Sequence, residues 1–265
     1  MSNLKTVALI TDFGLHDSYV AEMKGVMLSI NRDLRFVDIS HDVELGDIRR
    51  AAYLLWRSHA FFPTGTFFLA VVDPGVGSER RIIMYETTGH TFVAPDNGIL
   101  SMVMSDTDGS CREIANQDYC IGKASETFEG RDVMAPACAY LSLGTDPESF
   151  GALIHDPVLL DVYEPEIEGG AIRGQILAFD RFGNVITNID SDMIREEFSN
   201  LRLVAGDQFI KLGNLVRTFS DVSDGTVIAY RGSSGLVEIA ISMGNMRQKY
   251  QLNSGEEIRI EFDDK

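Results

Sequence analysis

Positive charge, paired cysteines and long apolar runs are what this chain has little of. Its 265 residues carry 23 Lys and Arg against 40 Asp and Glu, a formal net charge of -17. That balance argues against nucleic acid and anionic membrane surfaces as partners. Three cysteines, Cys111, Cys120 and Cys138, are an odd number without CxxC spacing. Neither a disulfide framework nor a zinc site is suggested. No stretch reads as a signal peptide, and no apolar run is long enough to span a membrane, so a cytoplasmic protein is expected. No internal repeat or low-complexity tract stands out. Hydrophobic residues make up 45% of the chain. At this length that is enough to bury a full core, and two domains are expected.

The first half reads as α/β. Apolar strands are expected over Thr6 to Ile10, Arg35 to Ser40 and Phe67 to Val72. Helices are expected from about Ser18 to Asn31, and again from Asp47 with Ile48, Ala51, Ala52, Leu55 and Trp56 as the buried stripe. Strand, helix, strand, helix, strand is the pattern of a parallel, doubly wound sheet. Ligands bind such sheets at the C-terminal ends of the strands. That edge collects Asp12, Ser40-His41-Asp42 and Asp73, the last followed by Pro74-Gly75-Val76-Gly77 and then Arg80. The turn brings Arg80 back within reach of Asp73. A plain tight turn with a surface ion pair is the structural alternative. Asp12, His41, Asp42 and Asp73 invite a metal reading, but no second histidine sits at ligand spacing, and no metal is expected.

Further on, Asp96 or Asn97 is expected to cap a helix carrying Ile99, Leu100, Val103 and Met104. Thr127-Phe128-Glu129-Gly130-Arg131-Asp132 places Glu129 and Arg131 on a loop before an apolar helix, Val133 to Leu143, with Arg131 and Asp132 as a local pair in the structural alternative. Thr145 to Gly170, with three prolines and many acids, reads as a linker. The domains are expected at 1–165 and 172–265. In the second, short strands separated by turns suggest a small barrel or sandwich, interrupted by one helix, Ser191 to Phe198. Asp180 to Asn184 and Tyr230 to Gly235 are its two polar corners, the latter leading into the strand with Glu238.

Taken in order, Thr11-Asp12-Phe13-Gly14, Val72 to Arg80, Ala94 to Gly98, Phe128 to Asp132, Asp180 to Asn184 with Thr187-Asn188, and Ser233 to Glu238 resemble the S-adenosylmethionine hydroxide adenosyltransferase family. These are hydrolases related to fluorinase and chlorinase enzymes, and the match runs along nearly the whole chain. The resemblance implies an N-terminal α/β domain with a largely parallel sheet between helices, a C-terminal β-barrel, and a homotrimer with sites between subunits. It implies hydrolysis of S-adenosylmethionine to adenosine and methionine, with no cofactor. Asp12 would hold the ribose hydroxyls; Asp17, Asp180 and Asn184 the methionine ammonium; and Ser233 its carboxylate. Phe182 would pack on the adenine, backbone groups near Ser242 and Met243 would read its edge, and Glu238 completes the substrate-binding set.

The resemblance gives Asp73, Arg80 and Glu129 as the catalytic residues, with one departure. Glu129 stands where the family's hydrolases carry a histidine. Two carboxylates beside one arginine disfavour a preformed hydroxide but can polarise a neutral water as general base. The alternatives are a non-catalytic binder of S-adenosylmethionine or adenosine, a halide-using synthase, and a metal-dependent hydrolase. The synthases carry a tyrosine in place of Asp73, whose carboxylate would repel chloride.

Overall fold

The computed structural model describes residues 4–122 and 127–264, and the chain divides into two compact units, Met1–Leu160 and Asp161–Lys265. In the first unit, strands β1 (Lys5–Thr11), β2 (Leu34–Ser40) and β3 (Thr66–Val71) are joined through helices α1 (Tyr19–Ile30) and α2 (Ile48–His59). Strands β4 (Ile82–Thr87), β5 (His90–Pro95) and β6 (Gly109–Glu113) follow, with helix α3 (Ser101–Asp106) between the last two. A π-helical turn (Gly130–Met134) runs into helix α4 (Ala135–Ser142), and the short strand β7 (Leu153–Ile154) closes the unit. The sheet order is β2-β1-β3-β5-β4-β6-β7. Its first four strands are parallel and its last three antiparallel to their neighbours.

Strand periodicity explains why the sheet needs helices on both faces. Val7, Leu9, Leu69 and Val71 bury into one core with Met23 and Met27 of α1 and the apolar side of α4. Ala8, Ile10, Phe68 and Ala70 alternate with them and face a second core with Ala51 and Leu55 of α2 and Val103 of α3. Deleting one such side chain down to Ala costs about 2–5 kcal/mol, because transfer and cavity terms add. The cysteines are free. Cys138 is wholly buried, and burial alone pushes its thiol up to about 12.

Three local expectations are corrected. Asp96 does not cap a helix: it is buried, accepts from Arg81 Nε at 2.7 Å and from the Val158 amide at 2.8 Å, and so ties a later segment to the strand end. Asn97 takes the turn instead, its Oδ1 accepting from the Ile99 amide and its Nδ2 donating to the Val72 carbonyl. The stretch read as a linker is built into the first unit as far as Leu160, since β7 pairs with β6 and the Leu160 amide donates to Ser101 Oγ at 2.8 Å.

The second unit is a nearly closed barrel, antiparallel except where β13 pairs with β14 in parallel. Its strands are β8 (Glu166–Glu168), β9 (Ala171–Phe179), β10 (Val185–Asp190), β11 (Phe198–Ala205), β12 (Gln208–Gly213), β13 (Leu215–Val216), β14 (Val227–Arg231), β15 (Leu236–Ile241) and β16 (Glu257–Asp264). A short helix α5 (Met246–Tyr250) precedes the last strand, and the order is β12-β11-β16-β9-β10-β15-β14-β13. The third correction lies here. No helix spans Ser191 to Phe198; a single 3-10 turn covers Ser191–Met193, and Phe198 opens β11. The Phe198 ring stacks on Phe262 of β16 at 3.6 Å between centroids, so cross-strand pairing overrides the helical preference of Met, Arg and Glu.

Candidate active site

β1 and β3 are parallel neighbours with Thr11 opposite Val71, so the residues that leave them, Asp12 and Asp73, emerge at one sheet edge. The Asp73 side chain is only 5% exposed. It accepts from the Gly75 amide at 3.2 Å and from Arg80 Nε at 3.0 and 2.8 Å. The Pro-Gly turn thus returns Arg80 onto Asp73, and the pair is buried rather than a surface ion pair. Arg80 Nη2 also binds Asp73 Oδ2 and, on its other side, Glu129 Oε2. Side chains of Arg80 and Glu129 are 10% and 21% exposed.

One guanidinium therefore bridges two carboxylates in a half-shielded setting. Burial works against the Arg80 charge, and hydrogen bonds and attraction from Asp73, then Glu129, outweigh it and hold its pKa above the ordinary arginine value. Removing the arginine alone would leave two facing carboxylates uncompensated, a change of about 3–5 kcal/mol for a buried pair.

Glu129 reaches this cluster from the start of the π-helical turn. π turns are rare and frequent at functional sites. Gly130 is required there by packing: a Cβ on it would come within 2.9 Å of Val71 Cγ1. The corner therefore sits directly against β3, two residues from Asp73.

A cleft of about 860 Å³ opens over the cluster, with Asp12, Asp73 and Glu129 in its lining. Phe13, Tyr19 and Phe128 form an aromatic wall, with ring centroids 5.2–5.8 Å apart and edge-on or tilted geometry. Asp12 Oδ2 accepts from the Gly46 amide at 2.9 Å, which fixes the carboxylate. Asp17 is exposed within the same loop, between β1 and α1. His41 is buried, its Nδ1 2.8 Å from Thr11 Oγ1, and Asp42 is exposed. Among the described residues, no three His, Cys, Asp or Glu side chains converge as metal ligands.

The remaining sequence candidates lie in the second unit. Asp180 Oδ1 accepts from the amides of Phe182 and Asn184, both at 2.9 Å, and its Oδ2 accepts from Asn184 Nδ2 at 2.8 Å. Gly183 completes the turn at φ +81°, a conformation suited to glycine. This locked turn leaves Phe182 72% exposed. Ser233 is exposed on the loop before β15. Glu238 accepts from Tyr230 Oη at 2.6 Å and packs where a Cβ on Gly232 would strike it, so it braces that loop. Ser242 already engages its backbone N–H with Thr226 and its carbonyl with Gly225, whereas Met243 next to it is 88% exposed at φ +54°.

Family comparisons map onto both units. The SAM hydroxide adenosyltransferase N-terminal domain matches residues 7–151, and the C-terminal domain of the same family matches 174–259. The chain belongs to the SAM hydroxide adenosyltransferase family. An (R)-S-adenosyl-L-methionine hydrolase of Thermus thermophilus is 35% identical over 97% of this chain and 100% of its own length. One of Salinispora tropica is 31% identical over 96% and 97%. A fluorinase of Actinopolyspora mzabensis is more distant, 26% identical over 96% of each chain. Among solved structures, an uncharacterized conserved protein of Thermotoga maritima superposes with a TM-score of 0.87 at 34% identity, covering 96% of this chain and 99% of its own.

Within this family member, the aromatic wall escaped sequence reasoning. Phe13 and Phe128 stood inside recognised motifs, but nothing linked rings more than a hundred residues apart, and Tyr19 carried no signal of its own. Arg131 follows its structural alternative: it pairs with Asp132 and Glu22, not with Asp73 or Glu129.

Proposed function

We propose that this chain hydrolyses S-adenosylmethionine to adenosine and methionine, by in-line attack of a water oxygen on the ribose 5′ carbon. The observation that carries the reading is the Asp73–Arg80–Glu129 cluster, whose two carboxylates line the cleft, together with the hydrolase relatives at 31–35% identity. The new bond joins the water oxygen to C5′ as the C5′–S bond breaks. Both sulfur electrons leave with methionine, now a neutral thioether, so no acid is needed at the leaving group. The proton lost by the water passes to a carboxylate, assigned here to Asp73 as general base. Arg80 orients both carboxylates, and Glu129 holds the water from its other side. Positioning and exclusion of bulk water are then the main sources of rate. A net negative cluster suits neutral water and disfavours halide ions. The aromatic wall suits a sulfonium, because ring faces attract cations.

Binding roles follow the same reading. Asp12, with one oxygen held by Gly46, offers the other to the ribose hydroxyls. Asp17, Asp180 and Asn184 take the methionine ammonium, and Ser233 its carboxylate. Phe182 packs on the adenine, and Met243 supplies backbone groups to its edge. No cofactor or metal takes part. The barrel loops serve the cleft of a neighbouring copy in a homotrimer, a cytoplasmic enzyme in this reading; light scattering of fully active protein at monomer mass would overturn the shared site.

The test is chromatography of purified protein incubated with S-adenosylmethionine, with and without chelator. Adenosine and methionine in equal amounts, unaffected by chelator, is the expected result. Binding without product would make the chain a non-catalytic binder. Loss of turnover with chelator and recovery with a divalent ion would make it a metal enzyme.

A further inference from the structure

Glu129 is the least enclosed member of the cluster, and it sits on a corner whose path depends on its neighbours. On one side of it Phe128 packs edge-on against Phe13 and Tyr19. On the other, Gly130 lies against Val71. Neither contact fixes the direction of the Glu129 carboxylate, and the Gly77 amide reaches it only at 3.5 Å.

Arg131 spans this corner. Its guanidinium lies 4.8 Å from the centroid of the Phe128 ring. Its Nη1 donates to Glu22 Oε2 of α1 at 2.8 Å, and its Nε and Nη2 donate to the two oxygens of Asp132 at 2.6 and 3.1 Å. The Asp132 side chain is nearly buried, so loss of the arginine would leave a shielded carboxylate without that partner. Glu22 is itself tied, accepting from Ser18 Oγ at 2.5 Å.

We propose that Arg131 is a positioning residue: by stacking on Phe128 and bridging Glu22 to Asp132, it holds the π-helical corner so that Glu129 meets Arg80. The inference rests on the hydrolase reading, because its effect is exerted on Glu129 within that chemistry. Arg131 also lines the cleft but bonds to neither Asp73 nor Arg80, and a route through Glu129 is what separates this role from direct contact with the substrate, which would move KM. Small displacements of a water-holding group cost rate more than affinity.

A double-mutant cycle tests this, with kcat, KM and Tm measured for wild type, Arg131→Met, Glu129→Gln and the pair. Methionine keeps an apolar stem over Phe128 and removes the bridge. Arg131→Met is expected to lower kcat by about tenfold with KM within about twofold. In the Glu129→Gln background its effect on kcat should be less than about twofold, since residues acting through one another are non-additive. An equal fold-loss in both backgrounds, or a loss confined to KM, overturns the proposal. Should Arg131→Met fail to fold, Glu22→Ala cuts only the tie to α1; it should lower kcat in the wild-type background and not in the Glu129→Gln background, and additivity again refutes the role. Wild-type protein without hydrolase activity overturns the functional reading, and this role with it.

Discussion

In the first unit the charged groups close on one another. Arg80 is shared by Asp73 and Glu129, and all three are largely shielded. In the second unit the polar groups close on their own turn, Asp180 with Asn184, and leave the Phe182 ring exposed; Met243, in a separate turn after β15, is exposed as well. In the proposed reaction the first arrangement would preorganise charge around the reacting atom, and the second would present a rigid surface for recognition. Substitutions should therefore divide, changes in the Asp73–Arg80–Glu129 cluster acting on kcat and changes in the barrel turns on KM.

The largest effect is expected at Asp73. Asp73→Asn should lower kcat by about a hundredfold or more if Asp73 is the base. Glu129→Gln keeps an acceptor for Arg80 and should retain appreciable activity, within about tenfold of wild type. Steady-state kinetics of the two variants decide it; the opposite ranking would move the base to Glu129. Next in size, Phe182→Ala should raise KM by roughly threefold to tenfold, the worth of one aromatic contact, with kcat nearly unchanged. A kcat loss at constant KM there would erase the contrast between the units.

The smallest effect lies away from both sites, at the opposite edge of the first sheet. His90 opens β5, its ring edge-on to Phe68 and 6.2 Å from His59. Burial first, and His59 second, hold its pKa below the ordinary 6.5. The unfolded chain therefore takes up this proton before the folded one does. The contribution to stability is complete above about pH 6.5 and is lost as pH falls from there through the lower folded value. Melting temperature should decline over that window, and His90→Phe should flatten the decline with activity near neutral pH unchanged. An identical decline in the variant would remove His90 from the account.

Much of the first unit was legible because buried parallel strands are short apolar runs that end abruptly, and Asp12 and Asp73 stand where β1 and β3 stop. The return of Arg80 was legible because a Pro-Gly turn has limited reach. Glu129 was placed by resemblance alone, since its π turn and the approach of Gly130 to Val71 depend on packing. The partner of Asp96 was not legible: Arg81 is fifteen residues earlier, and only the antiparallel register of β4 and β5 brings them together. Ser191 to Phe198 misled because local helical preference is worth tenths of a kcal/mol per residue, less than seating Phe198 on Phe262. Wherever contacts spanned the chain, as in the ring cluster of Phe13, Tyr19 and Phe128, local pattern carried no information.

The most direct test of the account is single-turnover reaction of S-adenosylmethionine with excess protein in 18O-labelled water, followed by mass spectrometry of both products. Attack of water at C5′ predicts adenosine carrying one 18O atom and unlabelled methionine. Unlabelled adenosine, label in methionine, or intact S-adenosylmethionine after prolonged incubation would contradict it.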